Sequence, residues 1–317
     1  MACNGGVLRG ALALLVTAAA GCNTPPATAV PDTGPREDAG PVAQAMVVAT
    51  DPSTGTTIPA DLGCVGSATV PVGGAPLSGP AQFQEFISHA NLTGNRVEVF
   101  SDNRLAATCD APGCTVYNTD GSGFITLTLA AGSWFAFRVA ESGQTAQVSA
   151  FNQPWIASSS ETLAVIPVFA PTTITIVGNL IGRTYDPSRF GSMSGRAIDC
   201  SNHPLANVRV RVFVDGTEVV TGPIGDRSAP TITGLEGTAP TRTGLTGASG
   251  NFVGANILPS ASCRVETWAT LTAGELPRLI GCAEATVRQG EISISLLGPL
   301  RSDYTPGSGC AIAAAAR

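Results

Sequence analysis

Two short segments of the chain show the same alternation of apolar and polar positions. In Arg96-Val97-Glu98-Val99-Phe100 the valines face one way and Arg96, Glu98 and Phe100 the other, and Arg209-Val210-Arg211-Val212-Phe213 repeats the pattern. A turn follows each: Thr119-Asp120-Gly121-Ser122-Gly123 before Phe124, and Thr246-Gly247-Ala248-Ser249-Gly250-Asn251 before Phe252. Period-two alternation bounded by glycine turns predicts strands, and its recurrence predicts two related β-domains. Further strands are expected at 80–87, 124–129, 134–139, 144–148 and 163–169 in the first copy. In 134–139, Phe135 and Phe137 share one face and Trp134 the other with Ala136. Between the copies, Ile174, Val177 and Ile181 fit helical spacing, as do Ile176 and Leu180, with Gly182 as a stop. The β-branched residues there argue for strand, and the spacing tips the balance to a short helix. The expected fold class is all-β: two tandem β-sandwich domains with a short connecting helix.

Composition narrows the function classes. Apolar residues make up 44% of the 317, enough for packed cores, while charged residues are only 13%. All 17 basic residues are Arg and the net charge is −6, which argues against a nucleic-acid partner.

The first residues change the address. Arg9 and the apolar run Ala11–Val16 read as a secretory leader over 1–21, too short to span a bilayer. Its end, Ala19-Ala20-Gly21-Cys22, resembles a bacterial lipobox, with Ala19 where Leu is usual. That resemblance implies a lipid on Cys22 and a membrane partner through the anchor. An ordinary leader cleaved near Ala20 is the other reading, and both export the chain. Residues 22–45 are Pro-rich and read as a disordered tether. By the same resemblance, Asn23 after the lipidated Cys implies sorting to the outer membrane. The expected domains are 46–171 for the first sandwich, 172–190 for the connector, 191–300 for the second sandwich and 301–317 for a tail held only by a Cys310 disulfide.

Export makes disulfides the default for the cysteines beyond Cys22. Cys109 and Cys114 flank the turn Asp-Ala-Pro-Gly and form the clearest pair. Cys200, Cys263, Cys282 and Cys310 allow two bridges in three connectivities. Cys64 then has no obvious partner: it is free, or it takes Cys109 or Cys114 and leaves the other odd. No Cys-x-x-Cys occurs, and His89 and His203 lack ligand spacing to any Cys, so no metal site is expected. Asp120-Gly-Ser-Gly lacks the further oxygen ligands of a calcium loop and reads as a hairpin turn.

Gly195, Asp199, Pro204-Leu205, Val208, Val210, Thr246, Gly250 and Phe252 resemble the pattern of carboxypeptidase regulatory-like domains over roughly 192–298. The first copy matches only in its strand and turn. That resemblance implies a transthyretin-like Greek-key sandwich and no particular activity. The overall layout, including Gly281-Cys282-Ala283-Glu284-Ala285, also resembles lipoproteins of myxobacteria. The second copy departs in one respect. Thr246 lies 37 residues after Arg209 and Thr119 only 23 after Arg96, so 14 residues are added, within 215–243. A loop of that length on a sandwich rim is a candidate contact surface.

No catalytic residue is assigned. No Gly-x-Ser-x-Gly elbow occurs and neither His has a Ser or Cys nucleophile in a recognisable setting. The expectation is a non-enzymatic, lipid-anchored envelope protein without cofactor. Its sandwiches would serve as structural or protein-interaction modules, with an envelope protein or a glycan as partner. The alternative is a carbohydrate- or peptide-binding surface receptor.

Overall fold

The computed structural model describes residues 45–315 apart from 70–76, 86–88, 101–108, 110–112, 130–134, 141–146, 152–162, 169–170, 224, 238 and 305. In chain order the strands begin with β1 (Val48–Thr50), β2 (Thr57–Ile58), β3 (Leu77–Glu85), β4 (Arg96–Phe100) and β5 (Cys114–Asn118). They continue with β6 (Phe124–Leu129), β7 (Phe135–Ala140), β8 (Gln147–Phe151) and β9 (Leu163–Val168). After helix α1 (Pro171–Leu180) come β10 (Gly191–Ala197), β11 (Leu205–Ala206), β12 (Arg209–Val214), β13 (Thr217–Glu218), β14 (Thr231–Glu236) and β15 (Ala239–Pro240). The chain closes with β16 (Asn251–Ile257), β17 (Ser260–Ala269), β18 (Arg278–Val287), β19 (Ile292–Leu297) and helix α2 (Gly309–Ala315).

The protein is all-β, and its two sandwiches share one topology. In the first, a sheet of order β6-β3-β9 faces one of order β5-β4-β7-β8. In the second, β16-β10-β19 faces β13-β12-β17-β18, and β14 and β15 extend the first of these sheets beyond β16. The opening strand pairs in parallel with the closing one in both, β3 with β9 and β10 with β19. The repeated Val-x-Val strand therefore occupies the same place twice, as β4 and β12.

Alternation decides what each core contains. Val97 and Val99 of β4 and Phe137 and Val139 of β7 meet Ala81, Phe83, Ile125, Leu127 and Val168 from the other sheet. Phe83 and Phe137 pack edge to face at 5.6 Å, an arrangement that adds about 0.5–1.5 kcal/mol to their burial. The second core holds Val210 and Val212 with Val265, Ala283 and Ala285 against Met193, Phe252, Ile257 and Leu297.

The repeated turns have a common geometry that explains their residues. The buried Thr119 hydroxyl accepts the Asn95 N–H at 2.9 Å, and the buried Thr246 hydroxyl accepts the Val208 N–H at 3.1 Å. Asn95 and Val208 each sit one residue before the repeated strand, so each Thr pins its turn to the foot of that strand. The closing glycine has φ of 80° at Gly123 and 68° at Gly250. A Cβ there would lie 2.9 Å from the Phe83 carbonyl oxygen in one copy and 2.6 Å from the Ala197 carbonyl oxygen in the other. Only glycine tolerates both the left-handed backbone and that approach. Aligning the glycines sets Ile125, not Phe124, in the core position of Phe252.

Helix α1 starts on Pro171, which is well suited to a first helical position. It ends at Gly182 (φ 73°), where the Arg183 N–H reaches back to the Gly178 carbonyl at 2.8 Å. Strand propensity at 172–177 thus yields to a proline start and a glycine stop.

Three expectations change. The boundary at residue 46 opens the first sandwich, yet Met46–Ala68 packs on the second. There β1 pairs with β11 and with β2, and Val47 and Ala49 fill a cluster with Ala197, Leu205, Val208, Ala269 and Ile280. The 215–243 stretch is not a plain loop: it supplies the hairpin strand β13 as well as β14 and β15. The tail is held by more than a disulfide. Cys310 is fully buried with Leu279, Cys282 and Leu300, Ala313 and Ala314 pack beside them, and the Tyr304 hydroxyl donates to the Cys282 carbonyl at 2.7 Å.

Candidate interaction faces

The side chains of β4 and β12 that do not enter a core stand on the outer face of each four-stranded sheet. Cross-strand register brings them against specific partners. Glu98 lies opposite Arg138, and Arg211 lies opposite Glu266, the same pair with its charges exchanged.

On the first sandwich this face is closed around Glu98. Glu98 has 6% of its side chain exposed and pairs with Arg96 at 3.1 Å and Arg138 at 3.6 Å. Arg138 reaches on to Glu291, just before β19, at 3.1 Å. Since Glu291 belongs to the second sandwich, this ion pair couples the two, and β8 lies alongside β19 in the same region. Burial pushes the Glu291 carboxyl above its usual range, while Arg138 and Arg288 pull it back.

On the second sandwich the equivalent face is partly open. The Arg211 guanidinium lies 5.2 Å from the Phe213 ring centre and 5.1 Å from Trp268, and Arg264 lies 4.2 Å from Phe213. Glu218 holds Arg211 with two hydrogen bonds, one of them 2.7 Å from Nε. That contact raises the Arg211 pKa and lowers that of Glu218. Glu266, itself buried, accepts from Arg264 Nε and from the Trp268 indole N–H, both at 2.7 Å. The result is a flat lattice of two arginines, two aromatic rings and two carboxylates. Both guanidiniums are already bound to acids, so the face offers stacking and shape, not free positive charge.

The expected site residues fall in different places. Cys22 and the leader lie outside the described residues, as do Trp134 and Trp155. Disulfides join Cys109 to Cys114, Cys282 to Cys310 and Cys64 to Cys200. The last is a correction: Cys64 has a partner, and the thiol left over is Cys263. Cys263 sits inside the second core, where burial pushes its pKa up to about 11. Distance in sequence hid this pairing, because Cys64 and Cys200 are 136 residues apart and only the return of 46–68 to the second sandwich brings them together. The Asp120 carboxylate accepts the Ser122 and Phe124 N–H groups at 2.8 and 2.9 Å, which lower its pKa and commit it to its own turn.

Two residues that sequence reasoning did not single out organise the inserted stretch. Arg183, buried, donates to the carbonyls of Gly222 and Pro223, both at 2.8 Å, to that of Asp226, and to the Thr231 hydroxyl. Asn256, at φ 56°, donates to the Thr184 carbonyl at 3.1 Å and that of Ser228 at 3.2 Å. A lone Arg directly after a helix-ending glycine is the only sequence signal for the first. His203 and Asp199 approach at 3.4 Å, but the nearby Ser201 hydroxyl donates to Asp61 instead of His203, so no nucleophile–base pair forms. No group of three or more metal-ligating side chains occurs among the described residues. No helix among them is long and apolar enough to cross a membrane.

No family model and no curated protein matches the chain. Among solved structures it is similar to the shaft pilin SpaA from Lactobacillus rhamnosus GG, at 10% identity and TM-score 0.23, covering 73% of this chain and 100% of the pilin. It is also similar to GBS52, the minor pilin of Streptococcus agalactiae, at 8% identity and TM-score 0.19, covering 73% and 99%. A putative adhesin from Bacteroides ovatus aligns at 7% identity and TM-score 0.19, covering 75% and 100%.

Proposed function

We propose that this is a non-enzymatic envelope protein, anchored by lipid on Cys22, whose tandem sandwiches act as structural and protein-interaction modules. The observation that carries the reading is the coupling of two sandwiches of like topology through the outer face of the repeated strand, Glu98–Arg138–Glu291. A strand geometry repeated in both sandwiches is thereby used for sandwich-to-sandwich contact. Three disulfides support an exported protein. The resemblance of 192–298 to carboxypeptidase regulatory-like domains and the lipobox-like Ala19–Cys22 support the fold family and the anchor; Asn23 supports the outer membrane. Labelling cells with a fatty-acid analogue tests the anchor: the native chain incorporates label, and a Cys22→Ser chain that still does so removes lipidation from the reading.

One observation favours a second reading, a carbohydrate- or peptide-binding receptor. Trp268 is only partly buried and stacks with Arg211 beside Phe213 on an open face. A glycan array decides it: hits that vanish in Trp268→Ala support the receptor, and an array without hits removes its glycan form.

A further inference from the structure

The two sandwiches differ at one sheet edge. In the second, β16 is covered: β14 pairs with it antiparallel from Thr231 opposite Ala255 to Gly234 opposite Phe252. In the first, the corresponding strand is β6. It pairs on one side with β3, without a break from Leu77 opposite Leu129 to Gln82 opposite Phe124. On its other side no strand is found among the described residues. The 14 residues added to the second copy are what supply the covering strand there.

An uncovered edge is usually blunted by charge, proline, a bulge or shortness. β6 has none of these: it runs six residues, Phe-Ile-Thr-Leu-Thr-Leu, uncharged and with no register shift. Among the other outer strands, β9 carries Pro167, β5 is one residue shorter than β6 and is tied at Cys114 to Cys109, β19 has β8 beside it, β18 has α2 against it, and β13 and β15 are only two residues each. Ile125 and Leu127 point into the core, while Thr126 and Thr128 are exposed on the outer face.

We propose that this edge is an interaction surface and that its occupant is a second copy of the chain, β6 pairing antiparallel with β6 about a two-fold axis. Three features select a second copy. The strand carries no charge, so identical strands do not repel. A two-fold axis normal to the sheet keeps both sets of Ile125 and Leu127 on the core side and sets Thr against Thr outside, a favourable cross-strand arrangement. Asp120, the acid that precedes the strand, lands at opposite ends of the pair. The contact is isologous and closes at two copies. It makes one six-stranded sheet from two three-stranded ones, as β14 lengthens the corresponding sheet of the second sandwich.

Sedimentation velocity of the full chain, extracted in detergent, tests this, with protein mass per particle as the readout. The native chain is expected at twice the chain mass and Thr126→Lys at the chain mass. Thr126 is exposed, so an unchanged melting temperature identifies Thr126→Lys as folded. Thr115→Lys, exposed on β5 at the margin of the other sheet, is expected to stay at twice the mass. A native chain that sediments as a monomer overturns the proposal. So does a Thr126→Lys chain that remains dimeric, or a Thr115→Lys chain that becomes monomeric.

Discussion

The paired threonines of the turns make unequal contributions, and the structure says by how much. Thr246 is 2% exposed, accepts the N–H of the fully buried Val208 at 3.1 Å and donates to the Leu205 carbonyl at 2.7 Å. Thr246→Val keeps the shape and removes both bonds. A buried N–H left without a partner costs about 1–3 kcal/mol, and the Leu205 carbonyl loses one acceptor contact as well, so about 2–3 kcal/mol is expected. Thr119 has one good bond, from the Asn95 N–H at 2.9 Å; its other contact, to the Asn95 carbonyl, is 3.5 Å long. Asn95 is half-buried, so water can replace part of the loss, and Thr119→Val is expected to cost about 1 kcal/mol. Native-state amide exchange in β12 and β4 peptides reads each sandwich separately. Thr246→Ser retains the hydroxyl and should cost no more than the lost methyl, about 1 kcal/mol. If Thr246→Ser destabilises as much as Thr246→Val, or Thr119→Val as much as Thr246→Val, the hydrogen-bond account fails.

Removing disulfides should destabilise in order of loop length. By chain-closure entropy the Cys64–Cys200 bridge contributes about 5 kcal/mol, Cys282–Cys310 about 3.6 and Cys109–Cys114 about 2. Denaturant titration of the three double-alanine variants checks the order, and a Cys109/Cys114 variant hurt as badly as the Cys64/Cys200 one contradicts it. The Cys263 thiol, buried and with its pKa raised to about 11, should resist a thiol reagent in the native protein and react only on unfolding. Labelling at the rate of a free thiol would place Cys263 outside the core. The Glu291 carboxyl, raised by burial, holds its proton more tightly folded than unfolded. The stability it contributes is therefore full below the unfolded pKa and lost as pH rises through the folded one. Glu291→Gln should flatten that part of the stability–pH curve, and an unchanged curve would assign the dependence to other groups.

Local chemistry was legible in the sequence, and long-range closure was not. The Val-x-Val alternation gave β4 and β12 because period two has only one consistent burial pattern. The glycine turns were legible because Gly123 and Gly250 need positive φ, but the slip that sets Ile125 in the place of Phe252 was not. Turn length alone does not say which residue faces the core. The Cys109–Cys114 pair followed from a short turn, whereas Cys64–Cys200 depends on a chain that leaves 46–68 on the second sandwich and returns to it 136 residues after Cys64. The inserted stretch looked like a loop because its glycines and prolines break alternation. Its order comes from outside itself, from the Arg183 guanidinium gathering the carbonyls of 222–226 and from Asn256.

The outer faces of the two four-stranded sheets pose the same physical problem. A sheet with one face in a core leaves its other face half apolar, here through Phe100 on β4 and Phe213 with Trp268 on β12 and β17. On the first sandwich Phe100 is 3% exposed, and Arg138, paired with Glu98, meets Glu291 of the second. On the second sandwich a later segment of the chain takes that place. Residues 301–304 and 306–315 fold back over β17 and β18, Tyr304 and Cys310 pack near Trp268, and the Cys282–Cys310 bridge fixes them there. Cover reaches the β17–β18 half and stops short of β12, which is why Arg211 and Phe213 remain only partly buried while Cys282 and Leu279 are inside. The open strip along β12 is the part of this face that a seven-residue helix cannot reach.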